Sequence, residues 1–200
     1  MKEQVMGKIV VTESLTLDGV MQAPGRADED LRGGFPYGGW GADYPDEIMG
    51  AEMAKRMAGQ GVMLLGRFTY EDLFAFWPKQ TDGNPFTARL NKVQKYVVSK
   101  TLTEPLPWEN STLLSGRDGH VPEAVAALRD ATEGDVSVIG SGQLVRTLAA
   151  AGLVDRYVLL IHPLVFGTGS RLFEGAELTK LRLTDSVTTG TGVIIATYEA

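Results

Sequence analysis

The sequence predicts an α/β protein built on a mainly parallel sheet that finishes in an antiparallel edge. Three observations carry this. Short apolar, β-branched runs alternate with stretches of helical periodicity. Two of those runs end in glycine and pass at once into a helical pattern, at Leu65-Gly66 and at Ile139-Gly140. The last two apolar segments flank a Thr/Gly-rich turn, which reads as a hairpin. Strand-helix alternation marks parallel crossover units, and the hairpin adds antiparallel strands at the end.

The elements follow in order. Lys8 to Thr12 is a β-branched run and reads as a first, buried strand. From Asp18 to about Pro45 the chain becomes dense in glycine and proline, a long loop of a length that is usually functional. Asp46 to Met57 reads as a helix with Ile48, Met53 and Met57 among its apolar positions, and VMLLG from Val62 as a fully apolar strand. Thr69 to Phe76 reads as a short helix, followed by a polar loop through Asn91 and then the strand KYVVS. A further strand begins at Ser111, and Val121, Ala124, Val125 and Leu128 recur at helical spacing in a helix ending near Gly134. DVSVIG is a strand, Ser141 to Ala151 a helix closed by Gly152, and RYVLLIHPL a long strand before the hairpin. Neither a repeat nor a linker divides the chain, so a single domain over 1–200 is expected.

Composition removes several classes of function. Nineteen Lys and Arg stand against 25 Asp and Glu, a net charge of −6, so nothing attracts a phosphate backbone or an anionic lipid surface. The absence of cysteine excludes disulfides, thiolate zinc sites and thiol nucleophiles, and two histidines make a histidine-built metal site unexpected. The polar MKEQVMGK opening has no leader pattern, and no apolar run approaches the roughly 20 residues that span a bilayer. A cytoplasmic protein with a small-molecule substrate, without nucleic acid, membrane or metal, is the expectation.

Five segments concentrate groups that do chemistry. In LLGRFTYEDL, a strand stops at Gly66 and the next helix carries Arg67 and Thr69 in its first turn. Free amides, a hydroxyl and a guanidinium there suit a phosphate, although Thr69 as a plain cap would look the same. VIGSGQLVRTL repeats the arrangement with Gly140, Ser141 and Gly142, where glycine permits close backbone approach. VVSKTL sets Ser99, Lys100 and Thr101 at a strand end, as a phosphate cluster or a merely polar terminus. SLTLDG leads from Ser14 through the Asp18-Gly19 turn into the long loop, and HPLVFGTGSRLF is a glycine-rich turn with Gly167, Gly169 and Arg171. In a parallel sheet such turns lie at the carboxyl ends of strands, where α/β ligands bind.

Taken in this order, the segments resemble the family that groups dihydrofolate reductases with the reductase domain of bacterial riboflavin biosynthesis, from Lys8 to Tyr198. The resemblance implies a dihydrofolate reductase-like fold, a largely parallel eight-stranded sheet with flanking helices, and NADPH as cofactor. It implies that Gly66, Arg67 and Thr69 hold the cofactor phosphates, with Ser99, Lys100 and Thr101 near the adenosine end. Gly140, Ser141, Gly142, Gln143 and Leu144 would line the pyrophosphate and nicotinamide, and Ser14, Asp18 and Gly19 would sit beside the nicotinamide. GRFTYEDLFAFWP departs from the riboflavin-pathway pattern toward folate reductases. These carry a carboxylate on the helix after the first loop, for which Asp43, Asp46 and Glu47 are candidates; Asp46 and Glu47 are taken as the catalytic pair. The long loop carries Phe35, Tyr37, Trp40 and Tyr44, and Trp40 and Tyr44, with Gly167 and Gly169, are expected to meet substrate as part of a lid. The function implied is NADPH-dependent reduction of a pyrimidine-, pterin- or flavin-related metabolite, resembling 5-amino-6-(5-phosphoribosylamino)uracil reduction. Dihydrofolate reduction is the alternative within the class, and a non-catalytic nucleotide sensor the alternative outside it. A homodimer is expected, with the apolar strand Tyr157 to Pro163 helping to form its interface.

Overall fold

A computed structural model describes residues 7–81 and 83–200; the polar opening 1–6, read above as lacking a leader, lies outside the described residues. Among the described residues eight strands are formed: β1 (Ile9–Thr16), β2 (Gln60–Gly66), β3 (Lys95–Ser99), β4 (Ser111–Ser115), β5 (Asp135–Ile139), β6 (Arg156–His162), β7 (Arg182–Thr188) and β8 (Ile194–Glu199). They make one sheet in the order β4-β3-β2-β5-β1-β6-β8-β7. The pairs β3–β4, β2–β3, β2–β5 and β1–β6 are parallel, whereas β6–β8 and β7–β8 are antiparallel. The chain divides into two compact units, Met1–Ile9 with Gln60–Leu153, and Val10–Gly59 with Val154–Ala200.

Among its described residues the first unit carries the α-helices α2 (Arg67–Phe76), α3 (Pro85–Lys92), α4 (Val121–Ala131) and α5 (Gly142–Ala150). Its core joins Met63 and Leu65 of β2 and Val97 of β3 to Tyr70, Leu90, Val93 and Trp108. Burying side chains of this size contributes about 1.5–3 kcal/mol each. Helix α3 falls in the stretch expected to be a polar loop. Asn84 caps it by accepting from the Phe86 amide, Pro85 opens it, and Thr87 and Leu90 are its buried side. Its polar composition hides a one-turn apolar contact that only the folded core reveals. Lys95, at the start of β3, is fully buried: its ammonium donates to the carbonyls of Val93 (2.9 Å), Glu109 (3.2 Å) and Asn91 (3.3 Å) and lies 4.3 Å from the Trp108 ring centre. Burial lowers its pKa to about 8.

The second unit carries α1 (Glu47–Ala58), whose Met49 and Met53 pack with Val10, Val158, Leu160, Val193 and Ile195. Within this unit β6 lies between β1 and β8, so the strand expected to offer a subunit interface has both edges paired. The reason is its length and apolarity, which suit an interior strand. The outer strand is β7, exposed at every residue except Val187 and bearing Arg182 and Asp185, charges that discourage edge-to-edge pairing.

Candidate functional site

Two clusters of candidate residues form, one in each unit. In the first unit the β2–α2 and β5–α5 turns are stitched together. The Gly66 amide donates to Ser141 Oγ (2.9 Å), the Ser141 amide donates to Thr69 Oγ1 (2.9 Å), and Ser141 Oγ donates to the Ile139 carbonyl (3.1 Å). Ser141 takes a left-handed backbone (φ 61°), and at Gly140 (φ 54°) a Cβ would stand 3.0 Å from Thr69. Gly66, Thr69, Gly140 and Ser141 thus build one piece, in which the helix starts at Arg67 and at Gly142 are fixed side by side. Gln143 opens α5 beside Gly142, while Leu144 is buried beneath it.

Arg67 lies in the first turn of α2, its guanidinium 3.2 Å from Glu71 and 4.2 Å from the Phe68 ring centre, with about a third of the side chain exposed. Ser99 is buried and its Oγ accepts from the Thr101 and Leu102 amides (3.1 and 3.0 Å), so it shapes the turn after β3 rather than facing outward. Lys100 is exposed. Beside it stands a cation that the sequence pattern does not single out: Arg117 Nε donates to the Lys100 carbonyl (3.0 Å), and the Gly116 amide to that of Ser99 (2.9 Å). Only the parallel pairing of β3 and β4 brings Lys100 and Arg117 together; a basic residue just past the end of β4 was the available signal.

In the second unit Asp18 is a knot. Its Oδ1 accepts from the Thr16 hydroxyl (2.6 Å) and the Phe166 amide (3.2 Å), its Oδ2 from the Gly167 amide (2.8 Å) and Arg171 (3.3 Å), and Arg171 Nε donates to its carbonyl (2.9 Å). The Thr16 hydroxyl above all, then the Gly167 and Phe166 amides, hold its pKa down to about 2 against the cost of burial. Both oxygens expected beside a nicotinamide are therefore spent on the 166–171 turn. Gly19 has φ 80° and turns the chain there; Gly169 has φ 105°, and a Cβ on it would come within 2.7 Å of Phe35. Gln22, buried and unremarked in the sequence, donates to the Asp30 and Arg32 carbonyls and accepts from the Ser170 amide. Ser14 lies half-buried on β1, opposite Leu160.

The aromatic residues of the long loop converge on the end of β6. Trp40 donates its indole N–H to the Gln22 carbonyl (2.6 Å), and its ring meets the His162 ring edge-on at 4.9 Å, as does Tyr44 at 5.1 Å. Tyr37 stacks on Phe166 at 4.7 Å, and Phe35 is buried beside both. Burial lowers the His162 pKa, opposed by carbonyls of Leu160 and Leu15, so the ring is neutral near pH 7. Asp46, expected to act as an acid, accepts from the Met49 amide (2.8 Å) as the cap of α1 and from the Gly190 amide (2.6 Å) in the β7–β8 turn. Its capping geometry accounts for it fully. Glu47 lies exposed in the first turn.

Among the described residues no group of three His, Cys, Asp or Glu side chains could hold a metal, and no helix is long and apolar enough to cross a membrane. A family model described as the RibD C-terminal domain matches residues 7–195. The protein YyaP of Bacillus subtilis (strain 168), itself uncharacterized, is 28% identical over 142 residues, 68% of this chain and 72% of that one. A Shewanella sp. PV-4 protein named for riboflavin biosynthesis superposes with a TM-score of 0.70 at 20% identity, covering 96% of this chain and 98% of its own. A pyrimidine reductase-like protein of Corynebacterium diphtheriae gives 0.61 at 14%, covering 96% and 91%. Dihydrofolate reductase of Enterococcus faecalis, solved with NADP(H), gives 0.57 at 14%, covering 97% and 95%. These likenesses show the dihydrofolate reductase-like fold.

Proposed function

The chain belongs to the RibD C-terminal domain family, and on that premise we propose that it is a cytoplasmic, NADPH-dependent oxidoreductase of a pyrimidine- or pterin-type ring, acting as one domain and as a homodimer. The observation that carries the reading is the Gly66–Ser141–Thr69 stitch, which fixes two helix starts beside Arg67. Paired amide-rich helix starts with a guanidinium suit a pyrophosphate, and the neighbouring cations Lys100 and Arg117 suit a further phosphate at the far end of the same molecule. NADPH carries both a pyrophosphate and a 2′-phosphate, and when bound it supplies a hydride.

The chain's own part is binding, orientation and exclusion of water. Arg67 and the α2 and α5 amides bind phosphate, Lys100 and Arg117 distinguish the phosphorylated nucleotide from its unphosphorylated counterpart, and Trp40 and Tyr44 offer ring edges and faces to a planar substrate. Asp18 and Gln22 hold the turn carrying Gly167 and Gly169. With both Asp46 oxygens engaged, Glu47 or a water is the better source of a proton.

The test is NADPH oxidation with a panel of pyrimidines and pterins, dihydrofolate included. Turnover with a member of the panel supports the enzyme; tight NADPH binding without turnover on any of them favours a nucleotide sensor. Light scattering at micromolar concentration should report a dimer, and a monomer would remove that part of the proposal.

A further inference from the structure

The second unit combines an aromatic wall with a charge pattern hostile to phosphate. It contains residues 10–59 and 154–200, all of them described. Fourteen Asp and Glu fall there against eight Lys and Arg, so the whole excess of negative charge in the chain is concentrated in this unit. Each of its six arginines is ion-paired: Arg26 with Asp28, Arg32 with Asp30, Arg56 with Glu52, Arg171 with Asp18, and both Arg156 and Arg182 with Glu199. Lys55 pairs with Glu52 as well, and Lys180 lies in the exposed run 173–180. His162 is buried and its pKa lowered, so it brings no charge.

We infer that this unit takes a planar ring carrying no phosphate. The inference rests on the proposed reductase reading and narrows its substrate class. An arginine of this unit could take a phosphate only by leaving its carboxylate. The exposed pairs are weak enough to open, but the displaced carboxylate would remain beside the incoming dianion and repel it. Arg171 is held more firmly still, because its Nε also donates to the Asp18 carbonyl. The half-buried rings of Trp40, Tyr44 and Phe166 offer what an uncharged heterocycle needs, namely apolar faces and edges. In the first unit Arg67 also pairs with a carboxylate, Glu71, but Lys100 and Arg117 stand there as further cations, and phosphate recognition is left to that unit.

The experiment uses the intact protein saturated with NADP+ and a matched pair of probes, 5-amino-6-ribitylaminouracil and its 5′-phosphate, measured anaerobically by calorimetry. The unphosphorylated probe should bind about ten-fold tighter or better at about 50 mM salt, and the gap should shrink at about 500 mM as screening weakens the repulsion. Equal or tighter binding of the phosphate overturns the inference, and so does NADP+ binding with neither probe taken. Failure of the underlying reading looks different: neither NADP+ nor NADPH then binds, whatever the probes do.

Discussion

Asp18 and Arg171, 153 residues apart in the chain, meet at 3.3 Å and tie the start of the long first loop to the turn after β6. Asp18→Asn keeps the shape but removes the charge and one acceptor from an atom pair that serves four donors. Stability should fall by about 1–3 kcal/mol. The native carboxyl titrates at about 2 against an ordinary 3.8, so its contribution is complete above the higher value and drains away as pH falls toward the lower. Thermal melts of wild type and variant should therefore converge on acidification; a constant gap down to about pH 2 would count against this role.

NADPH should bind more tightly than NADH, by about ten-fold or more if a charge-assisted bond is gained. Arg67→Ala should erode affinity for the phosphates, and Arg117→Ala should narrow the preference between the two nucleotides. Calorimetry that finds equal affinities in the wild type would displace Lys100 and Arg117 from the 2′-phosphate.

Trp40→Ala removes a half-buried ring, its contact with His162 and the bond to the Gln22 carbonyl. It should cost about 3 kcal/mol, somewhat under a fully buried tryptophan. If the ring also meets substrate, kcat or KM should worsen while NADPH affinity stays nearly intact. Normal turnover and normal KM in the variant would falsify the substrate-wall assignment, whatever its melting temperature.

Lys95 is expected to make stability rise with pH in the alkaline range. Its pKa is about 8 when folded against an ordinary 10.5, so between these values the unfolded chain holds a proton that the native one has released. Stability from this group then increases as pH climbs through that window, by on the order of 2 kcal/mol. Subtracting the melting curve of Lys95→Met isolates it, and a difference that stays flat from about pH 8 to about 10 would be the contrary result.

The fold was readable because period and punctuation agree: the glycine stops at Gly66 and Gly140, the apolar run of β6 and the hairpin all locate elements found in the structure. Helix α3 was not, since its apolar content is too slight to show a period over eight residues. In the candidate site the sequence marked Ser141 and Thr69 but not that each bonds the other's turn. It marked Asp18 for a ligand because an Asp-Gly turn shows no sign of a partner 149 residues away at Gly167. Gln22 carried no pattern and Arg117 only its place past a strand end; the bond of Gln22 to Ser170 and that of Arg117 to Lys100 arise from chain crossings that local spacing does not encode.

The second unit is written in two pieces, with residues 60–153 between them. Within that unit β1 bonds to β6, whose first residue is Arg156. During synthesis, then, the ribosome finishes every element from β2 to α5 while β1 still lacks its partner in the unit, and α1 lacks β8. Nascent chains cut short before Arg156 therefore carry a complete set of residues for one unit and an orphaned strand from the other, with Val10 lacking the Val158, Leu160, Val193 and Ile195 side chains it packs against. Chaperone occupancy or proteolytic nicking of such truncated chains belongs to the stretch from β1 to α1, long before any ligand could protect it.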